Sequence, residues 1–144
     1  MKAEQIMTRD PRTVTPNQTV AEAVKVMTNE DCGVVPVVRS DRELQVVGVV
    51  TDRDIALRAC NENGPGPSAT VSSVMTSNVF CVNPGDDLAR VREVMESAGV
   101  RRVPVVDDNQ QLLGIISMKD VAENTGDKEV GGTDSRILEQ KPNN

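Results

Sequence analysis

Residues 48–56 read GVVTDRDIA, and 66 positions later residues 114–122 read GIISMKDVA. In each stretch two β-branched residues stand between a glycine and a hydroxyl residue, and an aspartate follows three places after the hydroxyl. The recurrence runs well beyond these nine positions. A shift of 68 lays residues 7–38 on 75–106 without a gap, and Met7-Thr8, Val14, Pro16, Ala21, Val26, Met27 and Val35-Pro36-Val37-Val38 recur as identical residues. After Val38 the shift falls to 66, because SDRELQVV is two residues longer than its counterpart. A fixed register with apolar positions preserved is the mark of a tandem duplication.

Bulk properties limit what the duplication can be. A chain of 144 residues, 38% hydrophobic, can bury a core as one domain or two half-size ones. Phe80 is the only aromatic residue, so the core is built from Val, Ile, Leu, Met and Ala. A net charge of −6 argues against nucleic acid as a partner, since phosphate neutralisation needs a basic face and stacking needs aromatics. No apolar run approaches the length of a membrane span, and MKAEQIMTRD has no signal-peptide core, so no membrane partner is expected. Cys32, Cys60 and Cys81 are odd in number and lack C-x-x-C spacing, which suggests reduced thiols in a cytoplasm and no metal site.

Each copy reads as strand, helix, strand, turn, strand, helix. RTVTP (12–16) and VFCVNP (79–84) are short β-rich runs closed by Pro. Val20, Ala23, Val24 and Met27 form a helical stripe, as do Leu88, Val91 and Met95, with Asp86 or Asp87 as N-cap. VVPVV (34–38) and VPVV (103–106) are buried strands, VVGVV (46–50) and LLGII (112–116) the strands after them, and a helix starts at Thr51 or Ser117. The reading is therefore two tandem β-α-β-β-α repeats, 1–60 and 74–123, an α/β (α+β) fold. NENGPGPSATVSS (61–73) is the linker, and the polar tail 124–144 is expected to be disordered.

The repeated motif supports two readings. Ser/Thr-x-x-Asp opening an apolar run is a capping box, worth roughly 0.5–2 kcal/mol. The same groups can also bind a ligand: amides and a small hydroxyl at a helix start suit a phosphate, and a carboxylate one turn in can hold both hydroxyls of a ribose. Gly48 and Gly114 either clear space for a flat ligand or mark a bulge.

Taken together, the h-M-T start, V-x-P, V-P-V-V and G-h-h-[TS]-x-x-D in both copies resemble a pair of CBS domains, the family named after cystathionine β-synthase. The resemblance covers about residues 5–123. It implies two repeats packed sheet to sheet about a pseudo-two-fold axis, with clefts that bind AMP, ADP, ATP or S-adenosylmethionine, and a homodimer. Asp54 and Asp120 would then hold ribose hydroxyls, and Thr51 and Ser117 the ribose or first phosphate. Thr51 and Asp54 would face Phe80, Cys81, Arg102 and Val103; Ser117 and Asp120 would face Thr13, Val14, Val34 and Val35. Arg101 and Arg102, where the first copy has Gly33 and Val34, are either a phosphate clamp for the Thr51/Asp54 cleft or a solvated strand edge. Arg53 and Lys119 stand at equivalent places in the two motifs.

Catalysis is not expected. Without a His there is no Cys–His or Ser–His pair, and Cys32 and Cys81 read as small core hydrophobes. The alternatives are a nucleotide sensor acting on a separate effector protein, or a ligand-free dimeric scaffold in which the motifs only cap helices.

Overall fold

The computed structural model describes residues 1–125; of the polar tail, residues 126–144 lie outside the described residues. Its elements are α1 (Ala3–Ile6), β1 (Thr8–Arg9), α2 (Val20–Glu30), β2 (Val34–Val38), β3 (Val46–Thr51), α3 (Asp52–Arg58), α4 (Val71–Val74), α5 (Leu88–Ala98), β4 (Arg102–Val106), β5 (Leu112–Ser117) and α6 (Met118–Thr125).

The β-branched runs form the strands expected of them, but RTVTP and VFCVNP do not become strands of any length. Only Val14 and Val82 bridge, each in parallel, to Val37 and Val105. The chain then leaves the sheet: the Thr15 N–H is taken by Gln18 Oε1 at 2.9 Å and the Asn83 N–H by Asp86 Oδ2 at 2.9 Å. Pro16 and Pro84 have no amide with which to continue a ladder.

Two compact units result, and they interleave in the sequence. Among the described residues, one comprises 12–79 with 109–112; the other comprises 1–11, 80–108 and 113–125. In the first, β2 and β3 pair antiparallel, Val14 flanks β2, and Thr76 flanks β3 through its bridge to Val49. In the second, the order is β1-β5-β4, with β1 antiparallel to β5 and Val82 flanking β4.

Each sheet is thus completed by the leading arm of the other repeat. The arms dock by the same bonds. Val71 N–H donates to Gln18 O at 2.8 Å and Ser72 N–H to Pro16 O at 3.0 Å; Ala3 N–H donates to Asp86 O at 2.8 Å and Glu4 N–H to Pro84 O at 3.0 Å. So a 3-10 turn at Gly66–Ser68 lies inside the stretch read as linker, and α4 begins there and runs one residue past its end.

Helix faces follow from these cores. Val20, Ala23 and Met27 of α2 pack with Val14, Val35, Val37, Val50, Ile55, Val71 and Val74. Val24, expected on the same stripe, is instead exposed, because the buried face is narrower than the apolar pattern. In the other unit Val91, Val94 and Met95 of α5 pack with Ala3, Val82, Val103, Val105, Ile116 and Val121. With no aromatic to fill space, each buried Val supplies about 1.5–3 kcal/mol of transfer free energy.

Gly48 and Gly114 have a reason that neither reading of the sequence gave. A Cβ on Gly114 would lie 2.6 Å from Met7 Sδ and 2.7 Å from Thr8 O; on Gly48 it would lie 2.9 Å from both Met75 Sδ and Thr76 O. The glycines let the incoming Met-Thr arm press on the strand. A register irregularity also falls opposite Gly48, between Val37 and Val38.

Candidate functional site

Both copies of the motif close a capping box. In the first, Thr51 Oγ1 accepts the Asp54 N–H at 3.0 Å and Asp54 Oδ2 accepts the Thr51 N–H at 3.0 Å. In the second, Ser117 Oγ accepts the Asp120 N–H at 3.1 Å and Asp120 Oδ2 accepts the Ser117 N–H at 2.9 Å. The helices start here because a strand ends on a hydroxyl residue in extended backbone, with φ −116° at Thr51. The first helical amide is then taken by the neighbouring strand's entry: Asp52 N–H donates to Gly33 O at 2.9 Å and Met118 N–H to Arg101 O at 2.7 Å.

The carboxylates themselves differ. Asp54 is 9% exposed and also accepts from Thr76 Oγ1, at 3.2 Å to Oδ1 and 3.3 Å to Oδ2. The Arg58 guanidinium stands 3.9 Å from Asp54 Oδ1 and donates to the Val74 and Met75 carbonyls at 3.1 Å each. Asp120 is half-buried, and its carboxylate makes the single bond to the Ser117 amide among the described residues. Arg58 and Thr76 were not among the residues picked from sequence. Thr76 carried a signal, as part of the repeated Met-Thr pair; Arg58 follows Asp54 by one helical turn, a spacing that favours an ion pair.

The remaining expected residues are placed as follows. Val14, Val35 and Val103 are fully buried in the cores, so their side chains are closed to a ligand. Thr13 and Val34 are half-buried, Arg53 and Lys119 exposed. Phe80 is exposed, while burial pushes the neighbouring Cys81 thiol up to about 11 and keeps it neutral. Arg101 and Arg102 are half-buried in the unit that also holds Ser117 and Asp120, and Arg102 Nε is buried without a hydrogen-bond partner among the described residues.

The family model for the CBS domain fits residues 3–59 and again residues 71–126, one match to each copy of the motif. The chain belongs to the CBS-domain family. It is similar to the CBS domain-containing protein YhcV of Bacillus subtilis (strain 168), with 37% identity over 127 residues, covering 88% of this chain and 87% of that protein. Among solved structures, the CBS domain pair of protein MJ0100 in complex with 5′-methylthioadenosine and S-adenosyl-L-methionine is similar with a TM-score of 0.75 and 27% identity, covering 88% of this chain and 96% of that one. CBSX2 in complex with AMP is similar with a TM-score of 0.75 and 25% identity, covering 86% and 95%. The fold is accordingly that of a tandem CBS pair. No helix among the described residues is long and apolar enough to cross a membrane.

Proposed function

We propose that this CBS pair is a stand-alone, non-catalytic regulatory module of the cytoplasm that binds an adenosine-containing ligand: AMP, ADP, ATP or S-adenosylmethionine. Acting as a homodimer, it reports its ligand state to a separate effector protein. The observation that carries this reading is a capping carboxylate on a strand-to-helix turn, in a chain whose structural neighbours include pairs complexed with AMP and with S-adenosylmethionine.

The chemistry is direct. An ionised carboxylate is an acceptor only, with about four lone-pair positions, and the two vicinal hydroxyls of a ribose are paired donors at matching separation. The cap bond from the Ser117 amide holds Asp120 in place before the ligand arrives, so little side-chain entropy is lost on binding.

A thermal-shift series with AMP, ATP and S-adenosylmethionine tests the reading. A ligand at about 100 times its Kd stabilises the folded state by about 2.7 kcal/mol, which for a chain of this size raises Tm by about 5–10 °C. A second reading, that of a dimeric scaffold, is favoured by one observation: both boxes are closed by the chain's own groups. Absence of any shift with all three compounds would select the scaffold.

A further inference from the structure

We propose that only the Ser117–Asp120 motif takes the ligand, while Arg58 and Thr76 hold the Thr51–Asp54 motif closed as a structural element. The inference rests on the ligand reading above and assigns it to one of two places.

Duplication makes the comparison position by position. Asp54 receives the Thr51 amide, the Thr76 hydroxyl across both oxygens, and the Arg58 guanidinium nearby. Little acceptor capacity is left for a pair of ribose hydroxyls. Asp120 receives the Ser117 amide alone among the described residues, so its Oδ1 and part of Oδ2 stay open.

Residue changes between the copies produce part of this difference. Asn124 stands where Arg58 does, and its amide donates to the Asp120 main-chain carbonyl at 2.8 Å, leaving the carboxylate alone. Thr8 stands where Thr76 does, yet its hydroxyl makes no hydrogen bond among the described residues. At the first helical position Asp52 places Oδ1 on the Arg53 N–H at 2.8 Å, where the second copy has Met118.

Arg101 and Arg102 lie in the unit of the open motif, whereas Arg53 and Arg58 lie in that of the closed one. The Arg101 carbonyl is bonded to the first amide of α6. The unpartnered Nε of Arg102 gives that unit a buried donor in want of an acceptor. The order of preference is therefore the reverse of that expected when the arginine pair is assigned to Thr51 and Asp54.

Calorimetric titration of the full chain with AMP, ATP and S-adenosylmethionine, with circular dichroism on every variant, tests the assignment. The wild type is expected to take one equivalent per chain. Asp120→Asn keeps an oxygen for the Ser117 amide, so the fold is retained, and affinity falls about tenfold or more with the loss of charge-assisted bonds. A folded Arg58→Ala, Thr76→Val double variant is expected to take two equivalents. Two equivalents in the wild type, or one that survives Asp120→Asn, would overturn the assignment and leave the ligand reading standing. A folded double variant that still takes one equivalent would overturn the part given to Arg58 and Thr76. Binding of none of the three by folded wild type would overturn the ligand reading and the assignment together.

Discussion

Truncating each capping aspartate to Ala is expected to destabilise the protein unequally, by an amount that follows from the bonds each one makes. Asp54→Ala removes charge-assisted bonds from the Thr51 amide and the Thr76 hydroxyl, and leaves the Thr76 hydroxyl partly buried without its acceptor. Hydrogen bonds to charged groups contribute about 1.5–3 kcal/mol each when buried and less when solvated. The Arg58 pair adds little, because that side chain is 52% exposed and the separation is 3.9 Å. A loss of about 2–4 kcal/mol follows. Asp120→Ala removes one such bond from a more solvated place, about 1–2 kcal/mol. Interaction with the helix dipole is common to both and cancels in the comparison. Urea denaturation followed by circular dichroism reads the difference, expected to be about 1–2 kcal/mol, with a cycle including Thr76→Val to isolate the hydroxyl–carboxylate coupling. Equal losses, or a coupling near zero, would refute the account of Asp54 as a structural carboxylate.

Other outcomes follow from packing and titration. Gly114→Ala places a methyl 2.7 Å from the Thr8 carbonyl, a backbone atom fixed by β1–β5 pairing, and is expected to lower stability by about 1–3 kcal/mol; Gly85→Ala meets nothing within 4 Å and is expected to be neutral or slightly stabilising in the same denaturation assay. Met95→Ala empties a fully buried site in the α5 core and is expected to cost about 2–5 kcal/mol by urea titration. Cys81, raised from an ordinary 9.0 to about 11 by burial, is protonated in the folded state where the unfolded thiol has already ionised. The folded state therefore binds more protons in that window, and stability, unaffected below pH 9, falls as pH rises through 9–11. Cys81→Ala is expected to flatten that fall in urea midpoints measured at pH 8 and pH 10.5. Iodoacetamide at pH 8 is expected to label exposed Cys60 before Cys81, as mass spectrometry of timed samples reads.

Much of this was legible because the chain states it twice. The β-branched runs gave β2 to β5, and Ser/Thr-x-x-Asp gave the starts of α3 and α6, since both signals are local. What depended on distant partners was not legible. Met7-Thr8 and Met75-Thr76 are the same dipeptide, so nothing in them says that each completes the sheet of the other repeat. The contact of Thr76 with Asp54 spans 22 positions and has no local mark. The bulge reading holds at Gly48, opposite the register irregularity, but the Met side chain that presses on Gly48 and Gly114 comes from elsewhere in the chain and left no local mark. Val24 shows the limit of periodicity: the apolar stripe marks what could be covered, and the width of the neighbour decides what is.

The exchanged arms also bear on how such a chain can be shortened or inherited. A protease cut at residues 61–65 would leave residues 1–60 carrying an arm that belongs with 80–108, and the following fragment carrying the arm that closes the sheet of 12–51. Neither fragment could finish its own sheet, although the two together hold every piece. A gene encoding one repeat would face the same deficit, and its product could make good the missing edge only by trading arms with a second copy. Covalent duplication turns that bimolecular trade into an intramolecular one, independent of concentration, so the smallest piece of this architecture that closes without association is the pair.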